Sequence, residues 1–216
     1  MGSLAVIPDV LLRDPVDIQA KITAVAGLAE RFHVDIIDGV FADNLTVTPA
    51  DLGGVDFGTL AIDLHLMVDD PTSWVGECVA IKPGRIIAHI ERMGRQRVWV
   101  DAVRTYSPAA VGLALDLFTP VSSLDEEVLE GATAVLLMSV KAGYSGQAFH
   151  PQVLAKVREL RSRYEGRIIV DGGVTPEVVP SIAQAGADEV AVNSYLWSLG
   201  TNRDILTGRL EALQHA

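Results

Sequence analysis

Eight short apolar runs recur along the chain: Leu4 to Ile7, Phe32 to Ile37, Leu60 to Leu66, Ile86 to Ile90, Val111 to Leu115, Ala134 to Met138, Arg167 to Val170 and Glu189 to Val192. They are rich in Val, Ile and Leu. They lack the polar–apolar alternation of a sheet with one wet face, so they read as parallel strands covered on both sides. Helical patterns with start and stop signals lie between them. Asp14-Pro15 opens a helix predicted to run to about Arg31, and Pro71 opens one towards Ile81. Ser123-Leu-Asp-Glu-Glu is a capping sequence with acids in its first turn. Pro151 starts a helix ending near Tyr164, and Thr175-Pro176 starts one that stops at Gly186. The last helix runs from about Asp204 to the C-terminus. Residues 49–59 carry a weaker helical pattern, and residues 94–107 one with indistinct ends. Strands alternating with helices in this way predict a single (β/α)8 TIM barrel over residues 1–216. A doubly wound open sheet is the rival. The lack of Gly-x-Gly-x-x-Gly after the first strand argues against its dinucleotide-binding form.

Composition narrows the partners. The chain is 49% hydrophobic with a mean hydropathy of +0.30, enough for a sizeable core. Its net charge of −11 and pI near 4.8 argue against nucleic acid and anionic membranes, both of which need basic patches. An anionic small molecule would have to be held by backbone dipoles and a metal rather than by the global field. The single cysteine, Cys78, suits a reducing cytosol, and its apolar surroundings from Trp74 to Ile81 mark it as a buried structural thiol. The first residues, Met1 to Pro8, have no basic region and no long apolar run. No signal peptide or membrane span is expected, and the expected location is the cytoplasm.

Active sites of such barrels sit at the C-terminal ends of the strands. The second strand holds His33-Val-Asp35, whose two polar residues share one face. The third ends in Asp63-Leu-His65-Leu-Met67, and the seventh in Val170-Asp171-Gly172-Gly173. If the barrel closes, two imidazoles and two carboxylates meet in one mouth, a mixed N/O donor set for Zn, Fe, Mn or Co. Singly, each of these residues is more often a hydrogen-bonded structural group than a ligand.

Five segments carry a resemblance to a known family. His33-Val-Asp-Ile-Ile-Asp-Gly followed by Asn44-Leu-Thr resembles "HVDVMDG…PNLT". Asp63-Leu-His-Leu-Met-Val resembles "DVHLMV", and Ala88-His-Ile-Glu91 is similar to "HVEA". Met138-Ser-Val-Lys-Ala-Gly-Tyr-Ser-Gly-Gln-Ala-Phe-His-Pro151 resembles "MTVNPGFGGQKFIP", and Val170-Asp-Gly-Gly-Val174 resembles "VDGGI". Together, in order from about Ile7 to Trp197, they resemble the ribulose-phosphate 3-epimerase family. The resemblance implies one divalent metal held by His33, Asp35, His65 and Asp171. Asp35 and Asp171 would also serve as acid and base in a 3-epimerisation through an enediolate, within carbohydrate metabolism and the pentose phosphate pathway. It implies a small-molecule sugar phosphate held by Gly143, Tyr144, Ser145, Gly146, Gly172, Gly173, Asn193 and Ser194, with Asp9 and His65 at the sugar and a lid over residues 141–149. A homo-oligomer is expected. Met67 and Met138 match methionines lining the family's site, and His89 is expected to sit behind the ligands.

The chain departs from the family pattern at several recognition positions. Asp9 stands for a serine, Ile37 for a methionine, Val40 for a histidine, Lys141-Ala142 for Asn-Pro, Ser145 for a glycine, Asn193 for a glycine and Asp116-Leu117 for Asn-Pro. Each leaves the ligand set intact and bears on which ketose phosphate is bound. D-ribulose 5-phosphate leads, with an allulose-6-phosphate-like substrate or a non-catalytic sugar-phosphate-binding barrel as alternatives. Asp9 is expected at the sugar end, opposite the phosphate, unless it pairs locally with Lys141 or Arg13. Asn193 is expected to adopt the left-handed backbone that asparagine tolerates. The related orotidine-phosphate decarboxylase group needs an Asp-x-Lys-x-x-Asp array, and the third strand here has no lysine.

Overall fold

The computed structural model describes residues 4–216; the first three residues of the N-terminal stretch read for a signal peptide lie outside it. Eight parallel strands close in sequence order: β1 (Ala5–Val10), β2 (Arg31–Ile37), β3 (Ala61–Met67), β4 (Arg85–His89), β5 (Ala110–Leu115), β6 (Ala134–Met138), β7 (Arg167–Asp171) and β8 (Glu189–Val192). β1 pairs with β8, so the sheet has no edge. The helices are α1 (Pro15–Val25), α2 (Val75–Ala80), α3 (Gln96–Tyr106), α4 (Glu126–Leu129), α5 (Val153–Arg161), α6 (Val179–Ala185), α7 (Ser194–Trp197) and α8 (Arg203–Gln214). The predicted TIM barrel is the observed fold.

The continuous apolar strands have a simple cause, because each strand buries both faces. Val34, Ile36, Leu64 and Leu66 face the helices, while Ile37, Met67, Ile87, Leu136, Met138 and Ile169 form a second cluster inside the barrel. On β5 the interior position is Gly112, where a Cβ would stand 2.6 Å from Ile87 Cγ1. The missing side chain is filled by its neighbour. The floor of the barrel is ionic. Buried Asp63 pairs with Arg31 and Arg85, and Arg85 reaches Glu189 at 2.7 Å. Two guanidinium groups and two carboxylates offset one another there, which buried charges require.

Several predicted boundaries shift. α1 starts as expected, with Asp14 accepting from Val16 N at 2.8 Å, but it ends at Val25. Gly27 turns left-handed at φ 75°, and Arg31 already belongs to β2. Ser123 does not cap a helix: it ends a 3-10 turn at Val121–Ser123, and Asp125 precedes α4. Pro71 opens a 3-10 turn that runs into α2, and residues 49–59 hold only the 3-10 turn Ala50–Gly54. α5 and α6 begin after their prolines, and Gly186 closes α6 at φ 105°. α7 was not predicted, since four residues are too few to show a helical period.

Candidate active site

Strand register builds the site. His33 and Asp35 share the inward face of β2, and β3 places Asp63 opposite His33 and His65 opposite Asp35. β7 sets Asp171 beside Met138 of β6. One donor atom from each of His33, Asp35, His65 and Asp171 lies within 4.8 Å of the others, and all four residues are buried. His65 Nδ1 is 2.8 Å from Asp35 Oδ1 and 3.8 Å from Asp171 Oδ2, and His33 Nε2 is 3.5 Å from Asp35 Oδ1. His33 Nε2 and Asp171 Oδ2 have no hydrogen-bond partner. Buried polar atoms normally find one. Imidazole nitrogens and carboxylate oxygens left open around one point fit a divalent cation.

Burial works against every charge in this cluster, yet the neighbours sort the groups. For Asp171, burial and then the Asp35 carboxylate push the pKa up to about 7. Asp35 is as deeply buried, but bonds with His33 and His65 outweigh that and lower it to about 2. Burial drives His65 down to about 4 against the pull of Asp35, with His89 and His33 adding to the fall. Burial also opposes charge on His33, but Asp35, Asp63 and Asp9 hold it well above the usual imidazole range. Two carboxylates of one site are thereby pushed in opposite directions.

A narrow cavity of about 30 Å³ opens above the cluster. Asp9, Asp35 and Asp171 line it, as do Gly143, Tyr144, Ser145 and Gly146 after β6, Gly172 and Gly173 after β7, and Asn193 and Ser194 after β8. His33 and His65 are fully buried behind its wall. Gly172 and Gly173 adopt φ 106° and 59°, angles costly for any side chain. Space forbids one too: a Cβ at Gly173 would stand 2.3 Å from Phe149 N, and one at Gly172 2.5 Å from Val140 Cγ2. The 141–149 loop is tied down across the mouth. Tyr144 Oη donates to Asp43 O at 2.7 Å, and Asn44 Nδ2 to Gly143 O at 2.9 Å. Gln147 Nε2 braces it from within, to Lys141 O at 2.8 Å and Tyr144 O at 2.9 Å.

The family model for the ribulose-phosphate 3 epimerase family matches residues 5–197. The chain belongs to that family. It is therefore an isomerase of the epimerase type. It is 32% identical over 198 residues to ribulose-phosphate 3-epimerase 2 of Cupriavidus necator, covering 87% of this chain and 81% of that protein. It is 35% identical over 181 residues to the ribulose-phosphate 3-epimerase of Escherichia coli, covering 81% and 80%. Among solved structures, a mutant tryptophan synthase α-subunit from Pyrococcus furiosus superposes with a TM-score of 0.75 over 100% of both chains. Its identity of 16% makes that likeness one of fold alone.

In this ribulose-phosphate 3-epimerase frame Asp9 lies level with His33 on β2, and the β1–β8 register, with Pro8 against Val192, brings it level with Asn193 as well. It is not paired off by Arg13, which donates to Leu45 O and Asn44 Oδ1 while Asp9 Oδ1 has no partner. One expectation is corrected. Asn193 sits at φ −103° and ψ −86°, outside the left-handed region. Leu11, Val140, Gln147, Val174 and Ala191 also line the cavity and were not singled out in the sequence. Their apolar or amide character gives no chemical signal. Met67 and Met138 are on its wall. His89 stacks behind His65, with centroids 5.0 Å apart at 24°, and its Nδ1 is 3.0 Å from Glu91 Oε2. Cys78 is fully buried, which pushes its thiol up to about 12. Among the described residues no helix is long and apolar enough to cross a membrane.

Proposed function

We propose that this chain inverts the third carbon of a ketose phosphate, interconverting D-ribulose 5-phosphate and D-xylulose 5-phosphate or a close analogue such as D-allulose 6-phosphate. The observation that carries the reading is the pair Asp35 and Asp171, which line one cavity and belong to one four-residue cluster of donor atoms. Epimerisation beside a ketone removes a proton from one face and returns one to the other. It needs a base and an acid on either side of a nearly planar enediolate. Asp35 accepts the proton from the third carbon. Asp171 stands to donate to the opposite face, and the roles exchange in the reverse direction.

His33, Asp35, His65 and Asp171 would hold one divalent cation: Zn, Fe, Mn or Co by donor type. Such an ion supplies charge stabilisation for the enediolate oxygens. Burial keeps His65 neutral with a lone pair to offer. Met67, Met138 and Val140 exclude water from the reacting carbons. Backbone N–H groups of the turns at Gly143, Gly146, Gly172, Gly173 and Ser194 suit a phosphate dianion, which a chain of net charge −11 must hold locally. The test is an assay of ketose phosphates, with solvent-deuterium exchange at the third carbon and metal analysis of the protein. Turnover and exchange are expected with a stoichiometric divalent ion. No turnover with any of the four metals overturns the reading. Equal turnover of unphosphorylated ketoses overturns its phosphate half.

A further inference from the structure

Lys156 is a buried lysine for which the chemistry above has no use. It sits on α5 and is 7% exposed. Burial works against its ammonium and lowers it to about 8, with Glu91, Asp116 and Glu159 pulling the other way, so it is charged at neutral pH. A buried charge needs partners. Lys156 finds them in two backbone carbonyls: Nζ donates to Asp116 O at 2.6 Å and to Leu117 O at 3.3 Å. Both carbonyls lie just past the end of β5, at the mouth of the barrel.

What this clamp holds is Asp116. Three further contacts fix that residue. Its N–H donates to Glu91 Oε1 at 2.7 Å, and its Oδ1 accepts from Leu117 N at 2.8 Å and from Ala142 N at 3.0 Å. Ala142 is the second residue of the 141–149 loop and is 2% exposed. The next residue, Gly143, lines the cavity, and there is no slack around it: at φ 106°, a Cβ would stand 2.4 Å from Ala42 Cβ. On the β2 side the loop is held by Asn44 and by Asp43 O. On the β5 side it is held by the Asp116 carboxylate. A shift of Asp116 therefore passes through Ala142 N into the Gly143 turn.

We propose that Lys156 is a positioning residue for substrate binding: it locks the end of β5, and through Asp116 it sets the base of the 141–149 loop against the ligand. The inference rests on the ketose-phosphate reading above for its substrate, not for its geometry. Lys156 does not line the cavity, so its loss acts equally on the bound substrate and on the transition state. Such a loss raises KM and spares kcat. A lysine that only packed α5 against the barrel would change stability and leave KM alone.

The experiment compares Lys156→Met, Asp116→Ala and the double variant with wild type. Lys156→Met keeps an apolar stem and removes the donors. Each single variant is expected to raise KM for the best ketose phosphate of the panel ~10-fold, with kcat within about threefold of wild type and metal content unchanged. The double variant is expected to be no worse than the more affected single, because the two residues act in series. Each variant should also be cut several-fold faster by a protease within residues 141–149. An unchanged KM in folded Lys156→Met, or effects that multiply in the double variant, overturns the inference. If Lys156→Met does not fold, Asp116→Ala decides: a KM within about twofold of wild type overturns it. Absence of all ketose-phosphate turnover by wild type overturns the epimerase reading instead. The cutting rates then decide the clamp, and equal rates in wild type and variants overturn it.

Discussion

At Asp171 shape and charge can be separated. Asp171→Asn keeps the outline of the side chain but removes the proton that the proposed mechanism has it carry. The expected loss in kcat/KM is at least ~10²–10⁴-fold, measured on a variant with an unchanged circular dichroism spectrum. Activity within a few-fold of wild type would contradict a two-carboxylate mechanism. The same residue gives the site a pH signature. In the metal-free protein Asp171 is raised from 3.8 to about 7, so its share of stability is full below pH 3.8 and is lost as pH rises through about 7. His65, lowered from 6.5 to about 4, behaves oppositely: its share is present above pH 6.5 and lost as pH falls through about 4. The two offset in folding stability but not in cation binding, where His65 is already deprotonated and Asp171 still holds a proton. Cation binding at about pH 6 is therefore expected to release protons, with affinity rising towards pH 7. Calorimetry in two buffers of different ionisation enthalpy measures this, and identical heats in both would refute it.

The elements that matter most at the mouth are turns, and their glycines answer to geometry. Gly173 combines φ 59° with a virtual Cβ 2.3 Å from Phe149 N. Gly173→Ala should push the 141–149 loop away from the β7 turn. Roughly 1–2 kcal/mol of strain predicts a rise in KM of about tenfold with metal content unchanged; an unchanged KM would show that the turn does not hold substrate. Tyr144 stands where the family segment reads phenylalanine, and its hydroxyl latches that loop to Asp43 O. Tyr144→Phe should cost about 0.5–1.5 kcal/mol of loop closure. The expected readout is a several-fold faster proteolytic cut within residues 141–149, and equal cutting rates would count against the latch. The motif glycines were legible in the sequence, but their reasons were not. A sequence shows glycine in a turn without showing what its missing side chain makes room for.

The barrel as a whole rests on the ionic floor beneath the site. Asp63 is fully buried between Arg31 and Arg85, and its Oδ2 lies 3.9 Å from His33 Nδ1. Asp63→Asn leaves both guanidinium groups short of charge, and urea denaturation should show a loss of roughly 3–5 kcal/mol. A loss under 1 kcal/mol would mean that the floor relaxes or takes in water. Taken by itself, the sequence determined the eight apolar strands, the sharing of one face by His33 and Asp35, and a net charge of −11. These are properties of one segment or of a sum: a period of two, a run of buried residues, a net charge. Its motifs also picked out the His33, Asp35, His65 and Asp171 set before any distance was known. The tertiary structure alone decided that these four meet within 4.8 Å, that Asp9 stands level with Asn193, and that Asp35 and Asp171 are pushed apart in protonation. Those outcomes depend on pairing register, on closure of β1 against β8 and on the burial that closure creates, and no local pattern of residues encodes a distance across a barrel.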